Sequence, residues 1–109
     1  QFEYIIMLRK GKHKKINNCG CSDVLQIANK KMKGASGKTL HDTEKPVEQL
    51  TDILISNSTV EGETVLDPFM GLGGCAVSCK KLNRNFIGFE IDTAYFEIAK
   101  QRVEEGNKL

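Results

Sequence analysis

The stretch VLDPFMGLGG, residues 65–74, places an acid, a proline and three glycines directly after a short apolar run. The run ETVLD, residues 63–67, predicts a brief strand that ends at Asp67. The glycines that follow predict a loop before the next element. Two interpretations of the stretch are open at this point: a loop shaped to let a ligand approach, or a plain turn between a strand and a helix.

The segments after the loop continue a regular alternation. Residues 75–82 have the pattern of a helix, residues 85–90 (NFIGFE) that of a second strand, and residues 94–105 that of a second helix with one apolar face. Strand, loop, helix, strand and helix at this spacing predict a βαβ unit with parallel strands. The sequence therefore predicts an α/β fold in which helices flank a mostly parallel sheet.

Two acids at strand ends favour the ligand interpretation. Ligands of open α/β sheets bind beyond the carboxyl ends of the strands, where Asp67 and Glu90 both fall. Glu90 lies roughly 20 residues beyond the glycines, a distance at which a carboxylate can bond the hydroxyls of a ribose. Glycines allow close approach because they carry no Cβ. We therefore predict a ligand site here in preference to a plain turn.

The residues between strand and glycines indicate which ligand. Residues 71–76 formally match the G-x-G-x-x-A pattern of dinucleotide-binding proteins, but residues 67–70 (DPFM) intervene before the first glycine. A carboxylate at Asp67 would repel a phosphate and would suit a ligand that carries an ammonium group and a ribose. S-adenosylmethionine has both groups. A dinucleotide-dependent oxidoreductase is the less favoured alternative.

The first part of the chain differs from the rest in charge. Residues 1–40 hold nine Lys and Arg against two acids, a net charge of +7, whereas residues 41–109 hold seven against twelve, a net charge of −5. A basic segment beside an acidic body is typical of polyanion binding, with a solvated basic loop as the alternative. Residues 2–8 (FEYIIML) predict a strand, and Pro46 begins a predicted helix over residues 46–57.

Composition and cysteine spacing bound the class of protein. The chain has 109 residues, 39% hydrophobic and 28% charged, and no long apolar run, so we expect a single soluble cytoplasmic domain without a membrane span. The four cysteines (Cys19, Cys21, Cys75 and Cys79) lack the spacing of a zinc site and have no His beside them. We expect free thiols and no bound metal.

Three segments in order resemble a known family. HDTEKPVEQL (41–50), TVLDPFMGLGG (64–74) and KKLNRNFIGFEID (80–92) look like the cofactor-binding part of DNA amino-methyltransferases, which methylate the exocyclic amine of adenine or cytosine. The resemblance implies a partial Rossmann-like methyltransferase fold with S-adenosylmethionine as cofactor. It implies that residues 41–109 form the cofactor-binding portion. Residues 1–40 would then hold the end of the catalytic portion and a variable segment similar to a target-recognition region.

The resemblance also implies roles for individual residues. Carried over by position, the residues that would contact the cofactor are Thr43, Lys45, Asp67, Phe69, Gly71, Gly73, Glu90, Ile91 and Asp92. Among them, Glu90 would bond the ribose, Ile91 and Asp92 would lie near the adenine, and Thr43 and Lys45 would approach the methionine end. Structural alternatives stay open for three positions: Asp92 as a helix cap, Glu44 as part of its own helix start, and His41 as a surface turn residue.

The chain departs from the family in two places. The loop has Leu72, Gly74 and Cys75 where the family commonly has small hydroxylated residues. The family's catalytic tetrapeptide, Asp/Asn/Ser-Pro-Pro-Tyr/Phe, is not present, because the only prolines are Pro46 and Pro68. We therefore predict no catalytic residues in this chain and no activity of the chain alone.

The partners implied are double-stranded DNA, contacted by basic residues within 9–38, and either a second copy or a separate catalytic chain. Exposed apolar surface or sheet edges are expected where such a partner packs. The alternative is a non-catalytic accessory chain that binds S-adenosylmethionine and DNA.

Overall fold

The computed structural model describes residues 4–8, 10–12, 17 and 50–106. Five elements follow one another along it: α1 (Asp52–Ser58), β1 (Thr64–Asp67), α2 (Gly74–Lys81), β2 (Asn85–Gly88) and α3 (Thr93–Glu105). The last four begin and end within two residues of the bounds predicted from the sequence. The start of the first predicted helix, residues 46–49, lies outside the described residues.

The two strands form the predicted parallel pair. β1 and β2 are hydrogen-bonded neighbours, with Thr64 opposite Asn85 and Asp67 opposite Gly88. α2 connects them, which confirms the βαβ unit. Because the strands run in the same direction and in register, the loops that follow Asp67 and Gly88 emerge at the same edge of the sheet.

A small core lies where the helices meet the sheet and each other. Its apolar members are Ile55, Leu72, Ala76, Cys79 and Ala99. Polar contacts fasten α1 to α2: the hydroxyl oxygens of Thr51 and Ser78 are 2.5 Å apart, and Lys81 Nζ lies 2.5 Å from Asp52 Oδ2. The packing of α2 between α1 and α3 sets the direction in which the glycine loop enters α2.

One face of the sheet carries exposed apolar side chains. Side chains alternate between the two faces of a strand. Val65 and Phe86 are half-buried, while Leu66 and Ile87, one residue further on in each strand, are exposed, as is Phe89 just beyond β2. The exposed apolar surface expected from the sequence is present on this face.

The strand predicted over residues 2–8 is wrong for its described part. Residues 4–8 are in no regular element, and Tyr4, Ile6 and Leu8 are all strongly exposed. Residues 2 and 3 lie outside the description. A run of β-branched and aromatic residues makes a strand only where a neighbouring strand supplies hydrogen bonds, and in the described part of the chain β1 and β2 pair only with each other.

No helix in residues 50–106 is long and apolar enough to cross a membrane.

Candidate functional site

Asp67 ends β1, as predicted, and shapes the turn that follows. Its Oδ1 accepts a hydrogen bond from the Phe69 N–H at 3.0 Å. This is the bond by which an Asp fixes the backbone two residues ahead of it. The carboxylate is half-buried at the edge of the sheet, with Phe69 beside it strongly exposed. Asp67 therefore places a negative charge at the mouth of the glycine loop.

The glycine loop has a backbone that other residues adopt only with strain. Gly71 and Gly73 have φ angles of 54° and 81°, in the left-handed region. A Cβ on Gly73 would lie 2.8 Å from Cβ of Ala99 in α3. Gly73 thus meets two requirements of the fold, the left-handed angle and the close approach of α3.

Glu90 joins the loop after β2 to the loop after β1. Its Oε1 accepts a hydrogen bond from the Gly71 N–H at 2.9 Å, and its Oε2 accepts one from the Asp92 N–H at 2.8 Å. Each carboxylate oxygen offers more than one lone-pair direction, so both can accept a further bond from a ligand. Within the described residues, two backbone N–H groups therefore orient the carboxylate.

Two backbone hydrogen bonds extend this junction between the loops. The Phe89 N–H donates to the Asp67 carbonyl at 3.0 Å, and the Met70 N–H donates to the Phe89 carbonyl at 2.9 Å. The parallel pairing thus continues one step beyond the strands. As a result Asp67 and Glu90 lie at one hydrogen-bonded corner of the sheet, where the carboxyl ends of the two strands meet, as the sequence predicts.

Two large apolar side chains stand in solvent at this corner. Phe69 is 87% exposed and Ile91 is 100% exposed. One follows Asp67 by two residues and the other follows Glu90 directly. Exposed apolar side chains next to oriented carboxylates are typical of a site that binds a ligand with both an apolar and a polar part.

Asp92 caps α3. Its Oδ1 accepts a hydrogen bond from the Tyr95 N–H at 3.1 Å. The helix-cap alternative is thus confirmed for this residue, and a contact with a ligand stays a prediction. Thr43 and Lys45 lie outside the described residues, as do His41 and Glu44, so their roles stay predictions too.

Arg102 is a feature that sequence reasoning missed. It lies in α3 three residues after Ala99, is 0% exposed, and its Nη1 donates to the Leu72 carbonyl at 2.7 Å. Leu72 is itself buried, so its side chain belongs to the core and not to the ligand side of the loop. The sequence feature that could have revealed the burial of Arg102 is a positively charged residue on the helix face that carries Ala99.

The cysteines of α2 are free thiols behind the loop. Burial, and then the nearby charges of Cys79 and Asp67, raise the pKa of the Cys75 thiol from 9.0 to about 12. Burial also raises the pKa of Cys79. Because the thiolate is the reactive form, neither residue has the character of a nucleophile at neutral pH. Cys19 and Cys21 lie outside the described residues.

An apolar groove lies between β2, α2 and α3. Phe86, Phe96, Ala76 and Val103 contribute to its walls, and neither Asp67 nor Glu90 does. It has no carboxylate pair at its centre. Met70, in the loop after β1, also lines the groove, so the groove reaches this loop while the two carboxylates lie outside it.

Known proteins resemble the chain in both sequence and structure. Residues 1–101 match the family model described as DNA methylase, of the N6 and N4 type. The chain is 43% identical over 79 residues to the type II methyltransferase M2.DpnII of Streptococcus pneumoniae, covering 72% of this chain and 28% of that protein. It is 47% identical over 64 residues to the type II methyltransferase M.HpaI of Haemophilus parainfluenzae, covering 59% of this chain and 20% of that protein.

A solved crystal structure also resembles this chain in its fold. The crystal structure of the M1.HpyAVI–SAM complex aligns with a TM-score of 0.65 at 39% identity, over 82% of this chain and 43% of that one. The chain thus spans about a quarter of the length of the two type II methyltransferases, 28% and 20%. The predicted fold class, a partial Rossmann-like methyltransferase fold, is confirmed. The match over residues 1–101 shows that the chain belongs to the DNA methylase family of N6 and N4 methyltransferases.

Proposed function

We propose that this chain is the S-adenosylmethionine-binding portion of an enzyme that methylates the exocyclic amine of adenine or cytosine in DNA. The observation that carries the proposal is the corner in which Asp67 and Glu90, at the ends of adjacent parallel strands, are held together through the Gly71 N–H. The M1.HpyAVI complex with the same cofactor supports it as a structural relative.

The residues at the corner suit the groups of this cofactor. Glu90, oriented by two backbone N–H groups, would accept bonds from the ribose hydroxyls. Phe69 and Ile91, both exposed, would lie against the adenine. Asp67 would attract the ammonium group. The bound cofactor would supply a methyl group on a positively charged sulfur, and the two carboxylates make the corner favourable for that charge.

Three further positions complete the proposed cofactor site. Thr43 and Lys45 would approach the methionine end, where a lysine can pair with a carboxylate. Asp92 would lie near the adenine while it caps α3. These three assignments follow from the resemblance of their segments to the family.

The chemistry of methyl transfer needs residues beyond these 109. A base must leave the duplex to reach an active site, and its amine nitrogen needs hydrogen-bond acceptors that localise the lone pair. The family's Pro-Pro tetrapeptide serves that role, and it does not occur in this sequence. We propose that another part of the enzyme, in the same polypeptide or in a second chain, supplies it, and that the 109 residues alone are inactive.

The exposed sheet face is where such a portion would pack. Leu66, Ile87 and Phe89 present apolar side chains on one side of the βαβ unit. Parallel strands are normally covered on both faces. A catalytic portion or a second copy of the chain on this face would give β1 and β2 that cover.

DNA contact is assigned to the basic segment within residues 9–38. Of its lysines, Lys10 and Lys12 are among the described residues and both are exposed. A net charge of +7 over residues 1–40 would give an affinity for phosphates that falls as the salt concentration rises.

A non-catalytic accessory chain that binds S-adenosylmethionine and DNA is the second candidate function, and the missing tetrapeptide favours it. The comparisons give the dinucleotide-dependent oxidoreductase no support.

Calorimetric titration of S-adenosylmethionine into the purified chain tests the proposal. Asp67→Ala and Glu90→Gln should each weaken binding by about tenfold or more, since each removes a negative charge from a proposed contact, with the ammonium group and with the ribose hydroxyls respectively. Glu61→Gln is the matched control, because Glu61 is an exposed acid in the turn before β1, at the opposite end of the strand. NAD should not compete. A folded chain that does not bind, or that binds equally well in all variants, would refute the cofactor assignment.

A further inference from the structure

Arg102 is a buried cation beside the proposed cofactor loop. Its side chain is 0% exposed, and its Nη1 donates to the Leu72 carbonyl at 2.7 Å. Burial of a guanidinium is unfavourable unless its donors are hydrogen-bonded. A bond from a charged donor to a carbonyl is also stronger than one between neutral groups. The Arg102–Leu72 bond is therefore a firm attachment between α3 and the loop.

The same face of α3 makes a second contact with the loop. Ala99, one turn before Arg102, touches the position of Gly73 so closely that a Cβ there would lie 2.8 Å from its own Cβ. Residues three apart lie on one side of a helix. Leu72 and Gly73, two adjacent residues of the loop, thus both contact α3.

The other end of the loop is bonded to the strand-end carboxylate. Gly71 donates its N–H to Glu90, and Gly71 is the residue directly before Leu72. The peptide unit that carries the Leu72 carbonyl also carries the Gly73 N–H, which donates to the Met70 carbonyl at 2.9 Å, and the Met70 carbonyl belongs to the peptide unit that carries the Gly71 N–H. Movement at Arg102 would therefore reach Glu90 through the Gly73–Met70 hydrogen bond and the Gly71 N–H.

We infer that Arg102 is a positioning residue for cofactor binding: it holds the Leu72 carbonyl, and so keeps the Gly71 N–H on Glu90 and the Glu90 carboxylate in the orientation that receives the ribose. This inference rests on the proposed function of the corner. Arg102 itself is buried behind the loop and makes no contact with the cofactor.

The test compares Arg102→Met with Val103→Ala, a control in the same helix that faces the groove beside Phe86 and Phe96. Amide hydrogen exchange of the ligand-free chains is measured first. Gly71 and Gly73 both donate backbone hydrogen bonds within this corner, to Glu90 and to the Met70 carbonyl. Their exchange should be about tenfold faster in Arg102→Met than in the control, after correction for the measured stability of each variant.

Titration with S-adenosylhomocysteine is the second readout. Arg102→Met should bind about tenfold more weakly than the wild-type chain, and Val103→Ala should bind as the wild type does. Loop exchange equal to that of the control, or unchanged affinity, would overturn the inference. A folded wild-type chain that binds no S-adenosylhomocysteine would refute the proposed function instead, and the exchange rates alone would then decide whether Arg102 holds the loop.

Arg102→Lys serves if Arg102→Met does not fold. It keeps a buried cation and donors but loses the planar guanidinium. Exchange at Gly71 and Gly73 should then be faster than in the wild type. Wild-type exchange rates in Arg102→Lys would contradict a role for the guanidinium geometry.

Discussion

The Gly71 N–H donates to Glu90 Oε1 at 2.9 Å, and this bond ties the loop after β1 to the loop after β2. The corner is thus assembled by the protein's own backbone. A site ordered in advance spends less of its binding free energy on ordering itself. Glu90 consequently has a structural role besides its proposed contact with the ribose.

The structural role of Glu90 predicts a loss of stability in Glu90→Gln without any ligand. A glutamine side chain replaces one of the two carboxylate oxygens with an NH₂ donor, so either the Gly71 or the Asp92 N–H would face a donor in place of its acceptor. The free energy of unfolding should fall by about 1–2 kcal/mol. Urea denaturation of the ligand-free chain measures it, and stability equal to that of the Glu61→Gln control would contradict the role.

Gly73→Ala should destabilise the chain more than Gly62→Ala. Both glycines have left-handed φ angles, 81° and 87°, but a Cβ at Gly73 meets Ala99 whereas nothing lies within 4 Å of one at Gly62. Gly62→Ala should cost only the backbone strain, about 1 kcal/mol, and Gly73→Ala about 1–3 kcal/mol more. Thermal unfolding of the two variants checks the difference, and equal losses would contradict the close contact.

Two substitutions separate the cap of α3 from a ligand contact at Asp92. Asp92→Ala removes the acceptor for the Tyr95 N–H and should lower stability by about 0.5–2 kcal/mol. Asp92→Asn keeps a capping oxygen but removes the charge, so stability should change little. Weaker S-adenosylmethionine binding by a fully stable Asp92→Asn would show the ligand contact, and unchanged binding would leave Asp92 as a cap alone.

The raised pKa of Cys75 predicts a loss of stability at alkaline pH. The folded chain keeps the thiol proton up to a pKa of about 12, whereas the unfolded chain releases it at the ordinary value of 9.0. Stability from this residue is therefore fully present below pH 9.0 and falls as the pH rises toward 12. Cys75→Ala should show a shallower fall than the wild type over this range in chemical denaturation. Parallel curves would contradict the prediction.

The exposed sheet face predicts self-association of the isolated chain. Leu66 and Ile87 lie side by side on neighbouring strands with more than half of each side chain in solvent. The double substitution Leu66→Thr/Ile87→Thr replaces two apolar side chains with threonine, a polar residue that is suited to strands. It should shift the sedimentation of the chain toward that of a monomer. Val60→Thr, at an exposed apolar site outside the strands, is the control. A monodisperse wild-type monomer at high concentration would contradict the prediction that this sheet face packs against a second copy of the chain.

Much of the fold and of the strand-end corner follows from local sequence signals. Apolar residues recur at the spacing of a strand or a helix in each of the four elements from β1 to α3, and this spacing predicts them. Asp67 and Glu90 lie at strand ends because the apolar runs stop there. Arg102 could not be placed in this way, because its burial depends on a carbonyl brought near by tertiary packing. Residues 4–8 show the opposite error. Their composition favours a strand, but they form none because no described strand pairs with them.

The most direct test of the central claim is an amide chemical-shift map of the ¹⁵N-labelled chain during titration with S-adenosylhomocysteine. The account predicts that the largest changes fall at Phe69, Gly71 and Ile91, around the Asp67–Glu90 corner. Phe86 and Val103, which line the groove between β2, α2 and α3, should change little. Largest changes in the groove, or no change anywhere in a folded chain, would contradict it.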